Sequence, residues 1–144
     1  MNVSTTKFSS LLKVRQHQEK QTQQELMTIR LKKEHEERQL NLLHQTREEA
    51  FAGELQTEKI TANEIQNSRA FIKTLNTLIK KKIVDINEIS SIESTKIEEL
   101  VDRTIKKKMV ENLDSKQRDI LRREQERKEA KIIDMLSQRL KTGM

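Results

Sequence analysis

To a catalyst or a metal ion this sequence offers three histidines, no cysteine, and carboxylates scattered among lysines and arginines. Without cysteine there is no disulfide, no thiolate metal site and no thiol nucleophile. His35 and His44 are nine residues apart, on one side of a helix but more than two turns from each other, and His17 is more distant still, so no metal site is expected. Serine and histidine occur without the third member of a triad, no glycine-rich loop cradles phosphate, and the carboxylates fall on solvated helices with no concavity to shift their pKa. The reading is of a protein with no catalytic residues and no cofactor. The triplets Lys80–Lys82 and Lys106–Lys108, with Arg118, Arg122, Arg123, Arg127 and Lys128, invite a nucleic-acid reading. The stacking aromatics of single-strand binders are missing, as is a clean basic region, so no nucleic acid is expected. What remains is docking chemistry. Phe71, Leu75 and Leu78, spaced i, i+4, i+7, make a short apolar stripe beside a longer seam, and one partner helix cannot cover both.

The elements that position this stripe follow from composition. Of 144 residues 36% are charged and 33% hydrophobic, with 2% aromatic, no proline and two glycines. A globular domain of this length needs a thicker core, and a chain with so little punctuation reads as long exposed helix. From Ile60 to Ile89 the spacing is heptad: Ile65, Ile72, Ile79 and Ile86 in one row, Leu75 and Ile89 in the other, with Ser68 and Lys82 as exceptions. That is a coiled-coil seam. Thr61 and Glu64 form a capping box at its start. In the first part of the chain, a 4,3 row from Phe8 runs through Leu12, Arg15, Glu19, Thr22, Leu26, Ile29, Lys33, Glu36, Leu40, Leu43, Arg47 and Ala50 to Glu54. Half of its positions are apolar, enough for a helix that leans on a partner.

The expected fold is all-α: a long antiparallel two-helix coiled-coil hairpin. A first helix occupies 1–57, a turn 58–61, and a second, longer helix 62–142, whose last ~25 residues outrun the first at 1.5 Å per residue. Beyond Ile89 the heptad decays, with Glu93, Lys96 and Arg103 at seam positions. The four-residue steps Ile97, Val101, Ile105, Met109 and Leu113 predict a register shift over 97–113. A charged run, Arg122–Lys131, follows, and Gly143 is placed to cap the end. No apolar run approaches the ~20 residues of a membrane span, and MNVSTTKFSSLLKV lacks a signal-peptide core, so a cytoplasmic protein is expected. The net charge of +6 divides as +1 over 1–59 and +5 over 60–144.

ITANEIQNSRAFIKTLNTLI, with KFSSLLKVRQHQEKQTQQEL before it and KKKMVENLDSKQRDILRREQERKEAKIIDML after it, resembles the FliJ family, cytoplasmic components of flagellar type III protein export. The likeness rests on the order of a Phe–Leu–Leu–x–Val–Arg opening, the Ile–Thr turn, the Asn–x–x–x–Phe–Ile–x–x–Leu segment and a Glu–Arg–Lys terminal helix. It departs in lacking aromatics around Thr46, Ala50 and Ser68, and in an acidic ending reduced to Asp134. The resemblance implies a non-enzymatic stalk like the gamma subunit of rotary ATPases. Its joined ends would enter the hexameric export ATPase (FliI type), and a patch near the bend would meet the cytoplasmic domain of the export-gate membrane protein (FlhA type). It would also escort export chaperones and associate peripherally with the inner membrane at the flagellar base through its partners. Carried onto this sequence, the gate contacts are Phe71, Leu75 and Leu78 with Leu43 and Ala50. The ATPase contacts are Phe8, Leu11, Leu12 and Arg15, with Arg123, Arg127 and Ile133 opposite. A stalk of a virulence secretion system or a V-type ATPase shares the same physics, and so does a dimerising scaffold coiled coil.

Overall fold

No proline interrupts the chain and Gly53 is its one glycine away from the C-terminus, so little in the sequence stops a helix once it has begun. A computed structural model describes residues 6–56 and 61–143, apart from the side chains of Leu55 and Gln56. Two helices result, α1 (Ser9–Gln56) and α2 (Ala62–Thr142). They pack against each other as an all-α hairpin, α2 being the longer. The expected turn over 58–61 lies outside the described residues except for Thr61.

Both helix starts are capped by threonine. Thr61 Oγ1 accepts the Glu64 amide at 3.3 Å, and its carbonyl accepts Ile65 N at 3.1 Å. Thr6 Oγ1 accepts the Phe8 amide at 3.2 Å, while the Thr6 amide donates to Ser9 Oγ at 3.0 Å. These bonds, returned by the partner only at Thr6 and Ser9, satisfy amides that the first turn leaves without a partner. At the far end of α2 the Gly143 amide closes on the Arg139 carbonyl at 2.8 Å.

Every position of the 4,3 row on α1, from Phe8 to Glu54, is buried or half-buried, although half of them are polar. On α2 the covered face begins Ile65, Ser68, Ile72, Leu75, Ile79, Lys82, Ile86, Ile89 and holds the same alternation through Glu93, Lys96, Leu100, Arg103, Lys107, Val110, Asp114, Gln117 and Leu121. The register shift expected over 97–113 does not take place. Ile97, Val101, Ile105, Met109 and Leu113 are all exposed. Four-residue steps on a helix of 3.6 residues per turn wind by about 40° each, so this row crosses the back of α2 and never becomes its seam. The seam is kept by charged residues because Lys82, Glu93, Lys96 and Lys107 each meet a partner on α1.

Packing divides the chain into two units, Gln23–Glu99 and Met1–Thr22 with Leu100–Met144. In the first unit Leu26, Ile72, Leu75, Ile79 and Ile89 are buried. Lys96 reaches Glu25 at 2.7 Å, Lys33 reaches Glu93 at 3.2 Å, Lys82 reaches Glu36 at 2.5 Å, and Arg47 bonds Asn76 Oδ1 at 3.1 Å. As numbers rise along α1 they fall along α2, so the helices run antiparallel. In the second unit Val110, Thr22 and Asp114 are buried. Thr22 satisfies its own hydroxyl on the Gln18 carbonyl at 3.0 Å. Lys107 reaches Glu19 at 2.9 Å, and the Thr6 hydroxyl donates to the Asp114 carboxylate. Beyond Leu121 every described residue of α2 is exposed: α1 has ended, and the helix continues without cover.

Candidate interaction surfaces

The apolar stripe Phe71, Leu75, Leu78 is split by the packing. Leu75 is 4% exposed, inside the seam, whereas Phe71 is 49% and Leu78 45% exposed. Phe71 and Leu78 are two turns apart on one edge of α2; Leu75 points between the helices and offers no surface to a partner. Leu78 instead shares a shallow groove of about 400 Å³ with Leu42 and Leu43 of α1, rimmed by Gln39, Lys81, Lys82 and Asp85. An apolar floor with a polar rim suits an amphipathic helix. Leu42 was not marked by spacing because it stands off the seam row; its signal is that it follows Leu40 and precedes Leu43, more apolar residues than one seam needs. Ala50 sits half-covered on the seam row.

The second set of expected contacts does not come together. Phe8, Leu12 and Arg15 are half-buried on α1's seam row, and Leu11 is exposed. The Lys7 ammonium lies 5.2 Å from the centre of the Phe8 ring, and Arg15 keeps Nη1 on Gln18 Oε1 at 3.3 Å while its buried Nε has no hydrogen-bond partner among the described residues. Opposite the start of α1 stands Asp114, bonded to Thr6, not Arg123, Arg127 or Ile133. Those three lie in the uncovered part of α2, Ile133 about 28 Å along the helix from Asp114 at 1.5 Å per residue. There Ile132, Ile133, Leu136 and Leu140 fall within one face of the helix, all exposed.

Electrostatics distinguish the two units. Residues 1–22 with 100–144 carry 17 Lys/Arg against 9 Asp/Glu, and residues 23–99 carry 12 against 14, so folding gathers +8 in one unit and leaves −2 in the other. Within the seams the charges are engaged. The hydrogen bond from Lys107 holds the Glu19 carboxyl below its ordinary pKa, and the same bond raises Lys107. Lys82 likewise lowers Glu36, Glu25 and then Glu99 raise Lys96, and the Thr6 hydroxyl, helped by Arg118, lowers Asp114. Of the basic triplets, Lys82 bonds Glu36, Lys106 pairs with Asp102 at 3.0 Å, and Lys107 pairs with Glu19. No group of histidine, aspartate and glutamate that could hold a metal ion occurs among the described residues.

The family model described as the Flagellar FliJ protein matches residues 4–142, nearly the whole chain. The chain belongs to the FliJ family. No curated protein and no solved structure gives a significant match. As a FliJ-family member the chain is a component of flagellar type III protein export. No helix among its described residues is long and apolar enough to cross a membrane.

Proposed function

We propose that this FliJ-family chain is a stalk that couples the hexameric export ATPase to the export gate and escorts export chaperones, without catalysis of its own. The observation that carries this reading is the uncovered stretch of α2 from Arg122 onward. It keeps its helix without α1, exposes Ile132, Ile133, Leu136 and Leu140, and carries Arg123 and Arg127. A helix of this composition gains its stability from packing of an apolar face, and a ring of subunits is a partner able to supply that packing from several sides. A stiff asymmetric shaft inside such a ring contacts its subunits unequally and so favours one catalytic state over the next. Phe8, Leu11, Leu12 and Arg15 would add contacts at the start of α1. The groove of Leu42, Leu43 and Leu78, with Phe71 on the same edge of α2, is the surface for the cytoplasmic domain of the gate protein. Membrane association would be peripheral, at the cytoplasmic face and through that partner.

Two measurements test the reading. Mixing the chain with the cognate hexamer should stimulate ATP hydrolysis, and replacing Ile132, Ile133 and Leu136 by serine should remove the stimulation. Phe71→Ala with Leu78→Ala should abolish capture of the gate's cytoplasmic domain while leaving far-UV circular dichroism unchanged. Undiminished capture by that variant would remove the gate from the proposal, and unaltered hydrolysis on mixing would remove the ring.

A further inference from the structure

Val101, Ile105, Met109 and Leu113 form a row of four apolar side chains on the back of α2, each about half exposed. At 1.5 Å per residue the row is about 18 Å long. It lies wholly in the unit of charge +8 and uses none of the residues assigned above to the ring or the gate. The adjacent row, one residue off in phase and also in four-residue steps, is Thr104, Lys108, Asn112, Lys116. Lys106 and Lys107 are occupied by Asp102 and Glu19. Lys108 feels Glu19 only at longer range, Lys107 holding the contact, and its exposed ammonium, like that of Lys116, makes no ion pair within 4 Å among the described residues. Thr104 is half-buried and bonds Glu19 of α1, whereas Lys108, Asn112 and Lys116 are exposed. From position 108 onward an apolar ridge and a basic ridge therefore run side by side on the exposed surface of α2.

We propose that this double ridge docks an acidic amphipathic helix of a partner protein. Rows of four-residue spacing are the ridges that interdigitate in the commonest class of helix packing, at a crossing angle of about −50°. The complementary helix has its own apolar row at that spacing, with aspartate or glutamate beside it to meet Lys108 and Lys116. A second copy of this chain is the weaker occupant. Two copies of a unit that carries +8 repel each other. An excess of eight positive charges over the unit further favours encounter with an acidic surface.

The test uses the full chain in flagellated cells, with a photo-crosslinking phenylalanine at position 105 and mass-spectrometric mapping of the adduct. The expected result is an adduct on a helix of another protein whose residues beside the crosslink are acidic. Lys108→Glu with Lys116→Glu should reduce that adduct about five- to tenfold, the loss of two exposed ion pairs, and Lys20→Glu with Lys32→Glu, both exposed on α1, should not. Circular dichroism of the purified variants should be unchanged, since every altered side chain is exposed. An adduct to a second copy, to a basic or non-helical segment, to lipid or to nucleic acid overturns the proposal. So does the absence of an adduct, or one indifferent to reversal at 108 and 116.

Discussion

Leu75 and Phe71 stand four residues apart, are both large and apolar, and should respond to truncation very differently. Leu75 is almost wholly covered between the helices. Leu75→Ala removes three carbons from that seam, worth about 2–2.5 kcal/mol at roughly 0.8 kcal/mol per buried methylene. The cavity left behind adds little, because a layer of two helices can close on it, so the total should sit near the lower end of the 2–5 kcal/mol seen for leucine truncations in cores. Phe71 is half exposed and packs on one side only, so Phe71→Ala should cost about 1 kcal/mol or less. For a chain of this size each kcal/mol moves the thermal midpoint by about 2–4 °C. Leu75→Ala should therefore lower the midpoint by about 5–10 °C, and Phe71→Ala by no more than about 3–4 °C. Melting followed by far-UV circular dichroism reads both. Equal shifts for the two variants, or a larger one for Phe71→Ala, would refute the division of the stripe into a structural and a docking residue. The same division makes Leu78, and not Leu75, the companion of Phe71 in a binding experiment.

Three further outcomes are expected. Glu19, Glu36 and Asp114 have lowered pKa values, so their contribution is complete above the ordinary carboxylate range and is lost as pH falls through their folded values. Lys96 and Lys107 are raised, and their contribution is complete below about 10.5 and lost as pH climbs beyond it. The thermal midpoint should thus be flat between these limits and decline at both ends, and a midpoint that rises on acidification below pH ~4 would contradict the seam pairs. Ending the chain after Arg122 should leave the midpoint of the hairpin within about 2 °C, since exposed surface changes cost within about 0.5 kcal/mol and each kcal/mol moves it by about 2–4 °C; a larger fall would mean that the uncovered helix contributes to the fold. At Gly53 an added Cβ meets nothing within 4 Å, and no described glycine has positive φ. Gly53→Ala should accordingly raise stability by about 0.5–1 kcal/mol, read as a midpoint higher by a few degrees.

The phase of both helices was legible in the sequence. The row from Phe8 to Glu54 is the covered face of α1 even where it reads Arg15, Glu19, Lys33 or Glu36, because heptad spacing survives polar substitution. What misled was hydrophobicity over 97–113. Five apolar residues in four-residue steps outweigh Lys96 and Lys107 on any count of buried carbon, yet these two seam charges are satisfied by Glu25 and Glu19 on the other helix, far away in sequence. Spacing along one helix carries no information about such pairs until the alignment of the two is known. For the same reason Leu75, which belongs to both the seam and the stripe, could not be assigned from its neighbours. The gathering of charge into one unit was also hidden, since it joins the first 22 residues to the last 45.

Apolar rows that repeat every seven residues do not by themselves say which turn of one arm lies beside which turn of the other; Ile72, Ile79 and Ile86 are interchangeable. The ion pairs are not. Sliding one arm by seven residues would set Glu19 against Leu100 or Asp114, Lys33 against Ile86 or Leu100, and Glu36 against Leu75 or Ile89, stranding charges in grease or facing like with like. The two arms are keyed to a single alignment, so an insertion within one of them is tolerable only if the other lengthens by the same amount at the matching place.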